Sequence, residues 1–219
     1  MSIFNQTEDL MLQNRVDPNG NLIKTPARGA WMGNRGVIHS PAKEIVRPFK
    51  LKAWITCLLQ FKGWHRKVMV PNRYTELFFM DEATAFAAGH RPCAECRRSD
   101  YKKFKSLWIK GNPEYQFDEK TPISKIDNII HEERIGNDHL KITYRENFYN
   151  LPNGAFIRYE NEAYLIMDAK LHLWSPSGYV NVIDPPKAGQ LQVLTPKSIV
   201  NTIQSGYLPQ MKNFIFMQA

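Results

Sequence analysis

Three cysteines in 219 residues are too few, and too unevenly placed, for a secreted disulfide scaffold, which carries an even set at bridging intervals. Long apolar runs are missing too. Nothing approaches the ~18 to 20 consecutive apolar residues that cross a bilayer, so no membrane-spanning segment is expected. The first residues, MSIFNQTEDLMLQNR, lack a basic stretch followed by an apolar one. No secretion signal is read there, and a cytoplasmic protein is expected. Internal repeats are absent, since Ser177-Gly178-Tyr179 and Ser205-Gly206-Tyr207 are only two matching tripeptides. Acidic residues are scarce in one place. Residues 1–110 hold 19 Lys/Arg against 9 Asp/Glu, whereas residues 111–219 hold 10 against 12. The formal net charge of +8 is therefore concentrated in the first half. A basic half beside a near-neutral one suits contact with an anionic partner, nucleic acid being the commonest, or a merely well-solvated surface.

What is present is an ordinary globular composition, 43% hydrophobic and 12% aromatic. The first ~50 residues read mostly as loop. AWITCLLQF (53–61) and WHRKVMV (64–70), separated by Lys62-Gly63, read as a β-hairpin in which Cys57 faces about Val68. YTELFF (74–79) is the next expected strand. ATAFAA (83–88) reads as a short helix with Asp81 as N-cap and Gly89 ending it. Tyr101, Phe104 and Trp108 form a helical stripe. Residues 111–125 are polar and suit a linker, followed by a helix faced by Ile126, Ile129 and Ile130. Beyond His139 short strands alternate with turns: HLKITY, AFIRYE, EAYLIMD, LHLWS and QLQVLT. A last helix is expected from Pro196 to Gln204. The expected class is α+β: a basic zinc-binding α/β module over residues 1–112, then a mainly β module over 113–219. The second is read as a small barrel or curled antiparallel sheet with edge helices.

The segment richest in chemistry is Gly-His-Arg-Pro-Cys-Ala-Glu-Cys-Arg-Arg, residues 89–98. Thiolates at Cys93 and Cys96 can chelate zinc from one tight turn. Pro92 stiffens the approach, and Arg97 and Arg98 favour the thiolate. Two further ligands are needed. Cys57, His65 and His90 are the nearby candidates, with His39 and His131 more distant. Each has a plainer account: Cys57 as a small buried hydrophobe, His65 on a basic surface run, His90 as a packed ring.

FFMDEATAFAAGHRPCAEC, with its core at Ala87-Ala88-Gly89 and Arg91-Pro92-Cys93, resembles the end of the Ada-type N-terminal zinc-binding domain family over residues 78–96. The resemblance implies that Cys93 and Cys96 are zinc ligands in a zinc-stabilised fold with nucleic-acid affinity. Two departures stand out. His90 occupies a position usually aromatic, and the family's upstream Cys-x-x-x-Cys would fall near Lys62 and Arg66, where no cysteine lies. One of those missing cysteines is the family's methyl acceptor, so that activity does not carry over.

A zinc deaminase also uses Pro-Cys-x-x-Cys, but its His-x-Glu half is absent, and with it the proton-transferring Glu. Gly33-Asn34-Arg35-Gly36 with His39 reads either as a phosphate-holding nest or, more commonly, as a flexible turn. His131 on a charged helix is either a general base or part of a solvated face. The leading expectation is a zinc-stabilised protein that binds or acts on nucleic acid. Its metal would be structural, and Arg66, Lys67, Arg91, Arg97 and Arg98 would contact phosphates. The alternative is a hydrolase or transferase with a His39- or His131-based site between the modules; a ligand-free adaptor is a third.

Overall fold

The computed structural model describes residues 11–63, 67–187 and 189–212. The chain is α+β, with two six-stranded sheets and four α-helices among the described residues. No helix there is long and apolar enough to cross a membrane.

The first sheet is built from β1 (Gln13–Val16), β2 (Leu22–Lys24), β3 (Trp31–Asn34), β4 (Ile55–Cys57), β5 (Leu77–Phe79) and β6 (Arg91–Pro92). Their order is β2-β1-β5-β3-β4-β6. Helix α1 (Glu82–Ala87) lies between β5 and β6, and α2 (Arg98–Gly111) and α3 (Ile123–Arg134) follow. The second sheet comprises β7 (Tyr144–Asn147), β8 (Phe156–Tyr159), β9 (Glu162–Met167), β10 (Lys170–Ser175), β11 (Gly178–Ile183) and β12 (Gln190–Val193). Its order is β11-β10-β9-β8-β12-β7, and α4 (Lys197–Gln204) is the last element among the described residues.

Helix α1 starts as the sequence requires: the Asp81 carboxylate accepts from the Thr84 N–H at 2.8 Å, and Gly89 just past its end has φ +80°. All six of its residues are buried. Ala85 and Ala88 pack with Val16, Trp31 and Phe79 of the first sheet. Ala83 and Ala87 pack with Phe156 and Leu165 of the second. Phe86 joins Phe104, Trp108, Ile126 and Ile203 in a helical core. A helix surrounded this way must be slim, which explains its alanines. Helix α1 belongs to all three clusters, and in two of them residues on both sides of position 112 share one core.

Several expectations are corrected. Among the described residues of 53–70, only Ile55–Cys57 is strand, and it does not pair within that range as a hairpin would; residues 64–66 lie outside the described residues. β4 is three residues long and pairs antiparallel with β3 and parallel with β6, so Cys57 sits opposite Met32 rather than Val68. Residues 11–50 are, as expected, mostly loop with short ordered pieces, and those pieces are β1, β2 and β3, half of the first sheet. Gly33-Asn34-Arg35-Gly36 follows its commoner reading as a turn: it is the end of β3 and the turn after it, in which the Asn34 side chain accepts from the Gly36 N–H. The expected linker is packed, with Tyr115 and Phe117 stacked on Trp108 at 5.4 and 5.7 Å between centroids. The second sheet is antiparallel and open, ending on β11 and β7, and forms no closed barrel.

Candidate metal centre

The site lies where β4, β6 and α2 meet. β4 and β6 run parallel, with Ile55 beside Arg91 and Thr56 beside Pro92. The next step places Cys57 next to Cys93, whose N–H donates to the Thr56 carbonyl at 2.9 Å. The chain then turns, the Arg97 N–H donating to the Cys93 carbonyl at 3.2 Å, and this turn presents Cys96 before α2 begins. The sulfurs of Cys57, Cys93 and Cys96 all lie within 4.8 Å of one another. Among the described residues they form the one group of three or more Cys, His, Asp or Glu side chains close enough to hold a metal ion. Cys57 and Cys93 are buried, and Cys96 is partly exposed.

Backbone dipoles are aimed at two of these sulfurs. The Glu95 N–H donates to the Cys93 sulfur at 3.4 Å, as the Cys96 N–H also does, and the Leu58 N–H serves Cys96. The Cys93 and Cys96 thiols are held below their ordinary range, first by hydrogen bonding from Cys57 and then by these backbone donors, against the opposing effect of burial. Cys57 moves the other way, because it supplies the shared protons to both neighbours and is itself buried. Three sulfurs sharing protons in one pocket are arranged for a cation to replace those protons.

Arg97 braces the turn. It pairs with Glu82 at 2.6 Å and Asp100 at 2.7 Å, donates to the Thr56 hydroxyl at 2.7 Å, and lies 4.0 Å from the Trp31 ring centroid. Arg91 forms a fork with Asp127 of α3 at 2.7 and 2.8 Å. Arg91 and Arg97, read from sequence as phosphate contacts, are therefore 5% and 3% exposed and already paired. Arg98 and Lys67 are on the surface. Arg66 and His65 lie outside the described residues.

His90 is not part of the sulfur cluster. Its ring is fully buried, 4.6 Å from that of Phe79 and 5.0 Å from that of Trp54, so it fills the aromatic position as a packed ring. Its Nε2 accepts from Arg35 at 3.3 Å. Burial and the nearby Arg35 and Arg134 charges hold His90 well below its ordinary range, so it is neutral. His39 is buried with Nδ1 2.6 Å from the Thr75 hydroxyl. His131 stands against Phe49 and accepts from Arg134 at 2.8 Å. Burial, Arg134 and Lys52 push it down to about 4, which makes it a weak base at neutral pH.

The chain matches no known protein family, curated protein or solved structure. Its chemistry is therefore read from its own residues. Sequence patterns indicated Cys93 and Cys96 and offered Cys57 as the third sulfur. They gave no sign of Thr56 or Glu82, which reach the site through Arg97: a buried first-turn Glu looks in sequence like any helix-start acid.

Proposed function

We propose that this is a zinc-stabilised nucleic-acid-associated protein whose metal is structural. The observation that carries the reading is the meeting of all three cysteine sulfurs at the root of α2. Thiolates at this spacing favour zinc over calcium or magnesium, which take oxygen ligands. Zinc in a structural site takes four ligands. His65 is the candidate the sequence offers for the fourth, and a solvent molecule is the other. The ion would tie β4 to β6 and α2, contributing folding energy where β4 and β6 are only three and two residues long.

The nucleic-acid part rests on charge and on the Ada-type resemblance over residues 78–96. Helix α2 leaves the sulfur cluster with Arg98, Lys102 and Lys105 on one side, at intervals of four and three, and exposes Lys103 and Lys110 as well. A basic helix rooted in a metal knuckle is a rigid platform for phosphates. Binding of single- and double-stranded oligonucleotides, followed by fluorescence anisotropy, should weaken steeply between about 50 and 200 mM salt. It should also weaken in Arg98→Ala/Lys102→Ala with the fold intact. Absence of binding at 50 mM salt, or affinity indifferent to salt and to the double variant, would overturn this reading.

A further inference from the structure

A second site lies at the other end of the β4–β6 pair. Trp54 and His90 precede these strands, as Cys57 ends β4 and Cys93 follows β6, and the Arg91 N–H donates to the Trp54 carbonyl at 3.1 Å. Beside Trp54 opens a cavity of about 440 Å³, bounded by the β1–β2 turn, the end of α3 and residues 139–141. Arg35, Arg47, Arg134 and Lys141 line it, and no Asp or Glu does.

These charges are poorly compensated. Arg35 is 2% exposed, and its guanidinium lies 3.8 Å from the Trp54 ring centroid. Its Nε donates to neutral His90, and its Nη2 has no hydrogen-bond partner among the described residues. Arg134, also 2% exposed, lies 3.7 Å from the same ring and donates to the carbonyls of Gly89 and Lys52 at 2.7 and 2.6 Å. The Lys141 amine donates to the Ala87 carbonyl. Carbonyls and an indole face satisfy donors without neutralising charge. The carboxylates that attract them stand outside the lining: Asp17 acts on both Arg35 and Lys141, and Asp127, which acts on Arg134, is already paired with Arg91. Burial lowers Arg35 to about 9, and burial first, then repulsion from Arg134 and Arg35, lowers Lys141 to about 7. Clustered buried cations are costly unless an anion completes them.

We propose that this cavity binds a phosphomonoester, the dianionic phosphate of a nucleotide or of a strand end. A tetrahedral phosphate offers three oxygens to donors arriving from separate directions, and a guanidinium fork suits it. A planar carboxylate offers two. The volume leaves room beyond the phosphate and lies in the roughly 300–1,000 Å³ range of small-molecule sites. Gly20, whose φ of +88° forms the β1–β2 turn, brings that turn alongside the free donor. The inference stands on the cavity alone and does not rest on the basic face of α2.

Isothermal titration of the full chain tests it with four probes: inorganic phosphate, a nucleoside 5′-monophosphate, and one oligonucleotide bearing either a 5′-phosphate or a 5′-hydroxyl. The variants are Arg47→Ala at the exposed rim and Arg35→Lys, which keeps the charge and removes the fork, with melting curves to confirm folding. Wild type should bind inorganic phosphate and at least one phosphomonoester. Each variant should weaken that binding about tenfold or more, the loss of one charge-assisted hydrogen bond. Preference for the 5′-phosphorylated strand over its 5′-hydroxyl form assigns the site to strand ends, and preference for the mononucleotide assigns it to a small ligand. Failure of all phosphate probes, or equal affinity in wild type and Arg47→Ala, overturns the proposal. Equal binding of both strand forms without inorganic phosphate binding also overturns it, while leaving the α2 reading intact.

Discussion

At the scale of single residues, Gly89 shows how one position serves two neighbours. Its φ of +80° ends α1, and a Cβ there would come within 2.4 Å of Arg134 Cδ and 2.9 Å of Arg134 Cβ. Gly89→Ala should therefore destabilise the fold by about 1–3 kcal/mol in urea denaturation, through strain and displacement of Arg134. A loss below about 0.5 kcal/mol would show that the turn relaxes freely. Lys141 gives a pH test. Burial first, then Arg134 and Arg35, lower its ammonium to about 7 from an ordinary 10.5. The folded state thus disfavours the charged form, and the unfolded chain binds more protons between those two values. Stability rises with pH across about 7 to 10.5, and below about 7 the deficit is constant. Urea midpoints of wild type minus Lys141→Met should become less negative over that window. A difference flat with pH would contradict the buried ammonium. The Gly89 turn and the Asp81 cap were legible in sequence because capping chemistry is local. Lys141 was not, because its surroundings come from residues far away in the chain.

At the scale of elements, the errors share one cause. Residues 53–70 have the alternation and glycine of a hairpin, yet β4 takes its partners from β3 and β6, about 20 and 35 residues away. Pattern reveals that a strand exists but not what it pairs with. The mostly loop reading of the first 50 residues stands for residues 11–50, but which short pieces are strands was not legible, because β1, β2 and β3 are three or four residues each and their turns dominate the composition. The long helical stripes of α2 and α3 stood out because they repeat. The join between β6 and α3 depends on the Arg91–Asp127 fork, with side chains 6% and 7% exposed. Asp127→Ala leaves Arg91 buried without its partner and should cost about 3–5 kcal/mol, read from chemical denaturation. A cost under 1 kcal/mol would mean that Arg91 escapes to solvent and that α3 is held by its isoleucines alone.

At the scale of the whole molecule, the two candidate sites occupy opposite ends of one strand pair. The sulfur cluster was legible because cysteine is rare here and two of the three form a knuckle; the third joins them through the parallel β4–β6 register. The cation-lined cavity was not legible, since Arg35, Trp54, Arg134 and Lys141 come from both halves of the chain and carry no shared motif. A metal on Cys57, Cys93 and Cys96 would fix the register of β4 against β6, and so the placing of Trp54 and His90 at the far end. Chelation should therefore lower the melting temperature and disturb Trp fluorescence even though no tryptophan is a ligand. An unchanged melt after proven metal loss would make the ion incidental to the fold.

The most direct measurement is the metal content of the protein, purified without chelator, for wild type beside Cys57→Ser, Cys93→Ser, Cys96→Ser and His65→Ala. The account predicts close to one zinc per chain in wild type and its loss in each cysteine variant. His65→Ala decides whether the fourth ligand is that imidazole or solvent. Wild type without metal, or Cys57→Ser retaining full zinc, would contradict the three-sulfur centre.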